Sequence, residues 1–331
     1  MKIFDFDPSE YRDTFEAQGW VHVRGGIDSE FLGALREFVS TSLGERRVEG
    51  AAIGGKKDQA LFEFPAETDF PGELFDVIAA MCGLDRGGMT LSERHVKAYT
   101  ADAPPDPTPH KDRYASQVSV GLSIDIPDES RLLLYPDDQV SVNPHNISAA
   151  LLENLPAGEH PDVALKDVAA VEIDDSAGDV VAFRGSAIWH CRRNAAGAVN
   201  LYLKMNDFGC DPLGEDPQTA ERRRATLAIL EAGDDEAIAE LVPVLSRRLD
   251  FVDRRYLRDR WEERIEARPW DSEPVPLSDW DLRLLRELDG MTNLATVLER
   301  LDDGRGRATA LSRARELAGR EVLDLTTPAD A

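Results

Sequence analysis

Cysteine is scarce in this chain, and the three residues present, Cys82, Cys191 and Cys210, form no Cys-x-x-Cys pair. Neither a disulfide framework nor a cysteine zinc site is indicated. Long apolar runs are also lacking, because no stretch approaches the roughly 18 apolar residues that span a bilayer. The N-terminus does not have the apolar segment of a signal peptide. We therefore expect a cytoplasmic protein with no membrane partner.

Basic residues are fewer than acidic ones: the chain has 38 Lys and Arg and 63 Asp and Glu, which gives a formal net charge of −25. Such a charge repels a phosphate backbone, and no basic stripe with interleaved aromatics offsets it, so nucleic acid is not an expected partner. The same field would attract a cationic small molecule, although a need for solubility explains the acidity equally well. The 331 residues predict one large domain with an appendage.

A short polar motif, Thr108-Pro109-His110-Lys111-Asp112, predicts a metal site. In an extended segment residues i and i+2 share a face, so His110 and Asp112 can deliver an imidazole nitrogen and a carboxylate oxygen to one point. His190 can supply a third ligand from a distant strand. Two histidines and one carboxylate leave three octahedral positions open, which suits non-haem Fe(II). A lone His-x-Asp is common in loops, so the interpretation depends on the surrounding chain.

The chain around His190 predicts strands that turn a polar face inward. Residues 179–183 form an apolar run after Gly178, and a turn leads into residues 187–191, where alternation places His190 on the inner face. In residues 199–206 the odd positions are aliphatic or Met, whereas the even positions are polar or amphipathic. That polar face contains Asn200, Tyr202 and Lys204.

The order of these motifs resembles the Fe(II)/2-oxoglutarate-dependent dioxygenases and, within them, the phytanoyl-CoA dioxygenase group. Residues 11–27 are similar to that group's opening helix, glycine and strand, and the helix predicted over residues 29–42 also matches. The resemblance covers roughly residues 8–210. It implies a mainly β core with N-terminal helices, in which a double-stranded β-helix, a cupin-like jelly roll, is built from two facing sheets.

The resemblance also implies the chemistry. His110, Asp112 and His190 would bind Fe(II), with 2-oxoglutarate and O2 as co-substrates, in an oxygenase that hydroxylates or otherwise oxidises a small metabolite or natural-product intermediate. Related halogenases lose the carboxylate ligand to make room for a halide, so Asp112 favours hydroxylation over halogenation. The family usually holds the distal carboxylate of 2-oxoglutarate with an arginine on the strand after the second histidine. No arginine lies between Asn194 and Asp211, so we predict that Lys204 takes this role. Asn200, Tyr202 and Arg193 are the other candidate co-substrate residues. If Lys204 does not bind the distal carboxylate, the alternative anchors are Arg192, Arg193, Arg131 and Lys97.

Candidate substrate residues lie on the strand before the metal motif, where the odd positions place His95, Lys97 and Tyr99 on one face. Arg131 is a further candidate. Two alternatives stay open. One is a cupin-like metal oxygenase or isomerase that uses no 2-oxoglutarate, which a lysine at position 204 leaves possible. The other is a non-enzymatic binding scaffold.

Residues 1–214 are the predicted oxygenase domain, and the chain beyond them is predicted to be helical. A helical extension over residues 215–274 would contain helices at 218–232, 236–247 and 252–267. Residues 275–331 predict a small winged-helix-like module with Ser278 as a helix N-cap. Its 11 acidic and 8 basic residues argue against DNA binding. We expect it to form a homodimer interface or to support a lid, with partner binding as the alternative.

Overall fold

The computed structural model describes residues 1–42, 57–136, 141–146, 148–257, 262–301, 304 and 306–326. The chain forms two compact units, Met1–Gly209 and Cys210–Ala331. Among the described residues, no helix combines the length and the apolar character that crossing a bilayer requires.

Helices in the first unit flank a set of antiparallel strands. The helices are α1 (Arg12–Gln18), α2 (Ser29–Ser42), α3 (Gly72–Cys82), α4 (Ser148–Asn154) and α5 (Pro161–Ala164). The strands are β1 (Trp20–Val23), β2 (Lys57–Leu61), β3 (Thr90–Tyr99), β4 (Val118–Asp125), β5 (Arg131–Tyr135), β6 (Val171–Ile173), β7 (Val180–Phe183), β8 (Trp189–Arg193) and β9 (Val199–Asn206).

Two sheets form the double-stranded β-helix that the sequence predicts. The larger sheet has the strand order β1-β7-β4-β9-β3-β2, and the smaller has the order β6-β5-β8. His110 extends the smaller sheet through an antiparallel bridge to His190 in β8. From β3 to β9 the chain crosses repeatedly from one sheet to the other, as it does in a jelly roll. Their inner faces meet where Leu132 and Leu134 pack against Val181 and Phe183.

The core lies between the larger sheet and the N-terminal helices. The odd-numbered residues Leu201, Leu203 and Met205 of β9 are buried in one cluster with side chains of α2 and α3. Burying such a side chain contributes about 1.5–3 kcal/mol. The even-numbered residues of β9 must therefore face the interior between the two sheets, and this alternation carries polar groups into the barrel.

The second unit has its own core. Its elements are α6 (Pro217–Ala232), α7 (Asp235–Ala239), β10 (Val242–Leu245), β11 (Leu249–Leu257), β12 (Glu262–Pro269), β13 (Val275–Leu277), α8 (Asp279–Arg286), α9 (Leu294–Arg300), α10 (Arg307–Gly319) and β14 (Leu323–Thr326). Ser278 caps α8 in a reciprocal capping box with Asp281, which confirms the predicted cap. One hydrophobic cluster joins Ile265 of β12 to Trp280 and Leu311, so both predicted C-terminal parts contribute to the same core.

The prediction of a helical extension is wrong over much of residues 236–267. The helix that begins near Glu236 ends at Ala239, and β11 and β12 form an antiparallel hairpin in which Val252 pairs with Ala267. Arg and Glu dominate this segment and are good helix formers, so its composition is typical of an exposed helix. Only alternate residues near the end of β12 are buried, which is the period of a strand.

Candidate metal centre

Backbone hydrogen bonds hold the three predicted metal ligands on one face of the smaller sheet. The N–H groups of His110 and His190 each donate to the other residue's carbonyl oxygen, at 3.0 and 2.9 Å. The N–H of Asp112 donates to the carbonyl of Gly185 at 2.9 Å. His110 and Asp112, two positions apart, therefore project toward the side chain of His190.

The donor atoms of His110, Asp112 and His190 all lie within 4.8 Å of one another. The Nε2 atom of His110 is 3.9 Å from Asp112 Oδ1, and the Nε2 atom of His190 is 3.6 Å from Asp112 Oδ2. Asp112 and His190 are buried, whereas the His110 side chain is 30 % exposed. The centre is thus reachable from solvent on the side of His110.

His190 is prepared to act as a metal ligand through Nε2. Its Nδ1 atom lies 2.9 Å from the carbonyl oxygen of Ile188, an oxygen that can only accept, so Nδ1 carries the proton and the lone pair is on Nε2. Burial lowers the pKa of His190, although the charge of Asp112 acts in the opposite direction. The lowered pKa favours the neutral imidazole. The ring of Phe183 packs edge-on against the imidazole, with the ring centroids 4.7 Å apart.

Asp112 is held in its ionised form. Ser119 Oγ donates to Asp112 Oδ2 at 2.6 Å, and Lys204 Nζ donates to Asp112 Oδ1 at 2.6 Å. Burial alone would raise the pKa of Asp112, but the charge and the hydrogen bond of the Lys204 ammonium outweigh it and hold that pKa well below its usual range. The carboxylate is therefore charged and oriented, as a metal ligand must be.

A second buried carboxylate, Glu93, lies beside the candidate metal ligands and is surrounded by cationic side chains. Its Oε1 atom accepts from Lys97 Nζ at 2.8 Å and lies 3.6 Å from Lys204 Nζ, and its Oε2 atom lies 3.0 Å from Arg113 Nη2. Burial opposes ionisation, yet Lys204, Lys97 and Arg113 hold the pKa of Glu93 well below its usual range. We call Glu93, Lys97, Arg113 and Lys204 the Glu93 cluster.

Arg192 provides another buried cation, two residues beyond His190 on the same strand face. Its guanidinium makes two hydrogen bonds to Asp175, at 3.0 and 2.9 Å, and one to Ser130 Oγ at 3.3 Å. Tyr99 and Tyr202 line the same pocket. The interior end of the pocket therefore presents one guanidinium and two phenol groups.

A pocket inside the barrel brings most of the predicted site residues together. Its empty volume is about 650 Å³ including the open mouth. The predicted residues that line it with the three metal ligands are His95, Lys97, Tyr99, Tyr202 and Lys204. Arg192, an alternative anchor from the sequence, also lines the pocket, and lining residues outside the predicted set include Gln59, Glu93 and Arg113.

Three predicted residues lie elsewhere. Arg193 forms an ion pair with Glu172 on the opposite face from Arg192. The Arg131 guanidinium donates to the backbone carbonyls of Asp128 and Ser130. Asn200 is buried on the inner face and donates to Ser123 Oγ at 3.3 Å, but it does not line the pocket.

Gly185 allows the close approach of Ser119 and Asp112. A Cβ atom at position 185 would lie 2.1 Å from Ser119 Oγ and 2.9 Å from Asp112 Oδ2. We expect Gly185→Ala to displace both groups, to weaken Fe(II) binding by about 10–100-fold, and to lower the free energy of unfolding by about 1–3 kcal/mol. Metal titration and chemical denaturation measure the two effects.

The control for this prediction is Gly33→Ala. Gly33 lies within α2, and a Cβ atom there would meet nothing within 4 Å. This variant should bind Fe(II) as the parent does and gain up to about 1 kcal/mol of stability. Equal Fe(II) affinity in Gly185→Ala and Gly33→Ala would show that the contact at Gly185 does not support the centre.

No protein-family model and no curated protein matches the chain. Solved structures that it resembles include an α-ketoglutarate-dependent epimerase, a protein solved with 2-oxoglutarate and a prolyl hydroxylase. The α-ketoglutarate-dependent epimerase SnoN of nogalamycin biosynthesis has a TM-score of 0.42 and 15% identity over 60% of this chain and 83% of its own. HygX from Streptomyces hygroscopicus, solved with nickel and 2-oxoglutarate, has a TM-score of 0.39 and 12% identity over 61% and 88%. A Pseudomonas putida prolyl-4-hydroxylase has a TM-score of 0.38 and 15% identity over 60% and 96%.

Proposed function

We propose that this chain is an Fe(II)- and 2-oxoglutarate-dependent oxygenase of a small molecule. The proposal rests on one observation, the convergence of His110, Asp112 and His190 within 4.8 Å at a pocket inside the barrel. Two imidazoles and one carboxylate fit Fe(II) and leave positions for a chelating acid and O2. When bound, iron would supply the oxidising chemistry, which protein side chains cannot provide.

The surrounding residues would orient the ligands and keep the pocket poor in water. The Ile188 carbonyl fixes the His190 ring, while Ser119 and Lys204 fix the Asp112 carboxylate. Phe183 and Leu132 give the pocket apolar walls. A rigid, partly apolar surround keeps the ligands in place and limits access of water to a reactive centre.

Arg192 is the residue that we propose as the anchor for the distal carboxylate of 2-oxoglutarate. A strand rises roughly 3.3 Å per residue, so two residues place Arg192 about 6–7 Å deeper in the barrel than His190. That separation is comparable with the length of 2-oxoglutarate between its chelating end and its distal carboxylate. Tyr202 and Tyr99 can add hydroxyl donors there.

Lys204, the anchor predicted from the sequence, lies in the pocket but has another partner. Its ammonium is 2.6 Å from Asp112 Oδ1 and 3.6 Å from Glu93 Oε1. Reaching a distal carboxylate would require it to leave the metal ligand. We therefore propose that Lys204 positions Asp112, and the anchor prediction for Lys204 remains open to test.

Hydroxylation of a C–H bond is the reaction that we propose within this class. Asp112 keeps the carboxylate that the resemblance associates with hydroxylation rather than halogenation. Anaerobic addition of Fe(II) and 2-oxoglutarate should give one iron per chain and a metal-to-ligand absorption band. Admission of O2 should then release succinate. Stoichiometric iron without the band or succinate would favour a metal enzyme that uses no 2-oxoglutarate, and failure to retain iron would favour a binding scaffold.

A further inference from the structure

The Glu93 cluster and the neighbouring Asp112 together have more positive than negative charge. Lys97 and Arg113 both contact Glu93, and Lys204 is shared between Glu93 and Asp112. Glu93 and Asp112 are almost fully buried, with side-chain exposures of 1 % and 3 %. Three cations and two carboxylates therefore share a space with little water to screen them, where excess charge is costly unless an anion binds.

Arg113 has donors that nothing in the described part of the chain satisfies. The residue is 8 % exposed and lines the pocket. Its Nη2 atom contacts Glu93, but Nε and Nη1 are buried without a hydrogen-bond partner. A guanidinium has five N–H donors, and leaving buried donors unsatisfied is unfavourable. These two nitrogens point to an acceptor that enters the pocket from outside the chain.

An excess of one positive charge remains in the pocket after the proposed metal and co-substrate are included. Lys97, Arg113, Arg192 and Lys204 face the carboxylates of Glu93, Asp112 and Asp175, which leaves one positive charge with histidines counted as neutral. Fe(II) adds two positive charges, and 2-oxoglutarate adds two negative charges. One positive charge is still unbalanced.

We infer that the primary substrate is itself an acid, whose carboxylate is bound by Arg113 with Lys97 nearby. This inference rests on the proposed function and names its substrate class. Arg113 directly follows Asp112 in the chain, so the acid group would be recognised close to the metal ligands. Lys97 also lies 5.2 Å from the centroid of the Tyr202 ring, which holds it within the pocket.

This inference reverses the expectation drawn from net charge. The chain as a whole has a formal charge of −25, which would attract a cationic molecule. The described pocket has the opposite sign at the place where chemistry would occur. Long-range charge affects the approach of a ligand, whereas charge-assisted hydrogen bonds at short range decide which ligand stays bound.

Matched acid and amide probes test the inference on the anaerobic complex with Fe(II) and 2-oxoglutarate. The probes are 3-phenylpropionate with 3-phenylpropanamide, and hexanoate with hexanamide, titrated by calorimetry. We expect each acid to bind at least about tenfold more tightly than its amide, as a charge-assisted hydrogen bond allows. Arg113→Gln should reduce this ratio to about one, and Arg113→Lys should retain part of it. The control Arg24→Gln, at an exposed ion pair with Asp174, should change nothing.

The outcomes separate this inference from the proposed function. Equal binding of acid and amide by the parent protein would overturn the inference while the iron and 2-oxoglutarate band remained. If Arg113→Gln weakened 2-oxoglutarate binding and kept the acid preference, Arg113 would be a co-substrate residue and the inference would fail. Absence of the band in the parent would defeat the proposed function instead. If Arg113→Gln does not fold, Lys97→Met provides the second test, with a smaller acid preference expected and an unchanged ratio counting against the inference.

Discussion

Asp112→Ala is expected to abolish stoichiometric Fe(II) binding and succinate release. The proposed centre has only three protein ligands, and the substitution removes one of them. It also leaves the Lys204 ammonium without its 2.6 Å partner in a buried site. Breaking a buried ion pair costs about 3–5 kcal/mol, so the free energy of unfolding should also fall. Iron per chain after gel filtration and denaturation curves measure both effects.

Two further variants separate loss of the ligand from loss of the fold. Asp112→Asn keeps the size of the side chain but removes its charge, and it should still fail to retain iron. Asp174→Asn changes an exposed carboxylate in the same unit and should behave as the parent. One iron per chain in Asp112→Ala or Asp112→Asn would remove Asp112 from the site. His110→Ala and His190→Ala should lose iron in the same way.

Arg192→Lys is expected to weaken 2-oxoglutarate binding by about 10–100-fold, while Fe(II) stoichiometry stays unchanged. Lysine keeps the charge but cannot reproduce the planar fork that makes two hydrogen bonds to Asp175. Loss of one charge-assisted hydrogen bond corresponds to about 1.5–3 kcal/mol. Anaerobic titration with 2-oxoglutarate, followed through the metal-to-ligand band, gives the affinity.

Lys204→Met is the matched comparison for Arg192→Lys. If Lys204 positions Asp112, its removal should destabilise the metal-free protein and leave 2-oxoglutarate affinity within about threefold of the parent. If Lys204 is the anchor, the same variant should lose about 3–5 kcal/mol of 2-oxoglutarate affinity. A large loss in Lys204→Met together with parental affinity in Arg192→Lys would restore the sequence-based assignment.

The three candidate metal ligands could be predicted from sequence because their spacing follows strand geometry. His110 and Asp112 share a face at a spacing of two, and alternation within residues 199–206 correctly places Tyr202 and Lys204 toward the barrel. The same alternation places Arg192 on the strand face of His190, and it places Glu93 on the strand face of His95 and Lys97. Arg192 was accordingly among the alternative anchors predicted from the sequence, whereas Glu93 could have been predicted in the same way and was not.

Other features depend on contacts that no local pattern contains. Arg113 follows Asp112 outside any named strand, so alternation gives no direction for its side chain. The partner of Lys204 could not be known, because Asp112 is 92 positions away in the sequence. The β11–β12 hairpin was missed since its charged residues favour a helix and its few buried positions are set by packing in the second unit.

The Glu93 cluster also restricts the order in which substitutions can accumulate in this sequence. A neutral residue at position 93 would remove the counter-charge that Lys97, Arg113 and Lys204 share. Loss of one cation alone is better tolerated, because the carboxylate would keep two partners. We therefore expect descendants of this chain to lose a cation before they lose Glu93, so that these positions change in a fixed order rather than independently.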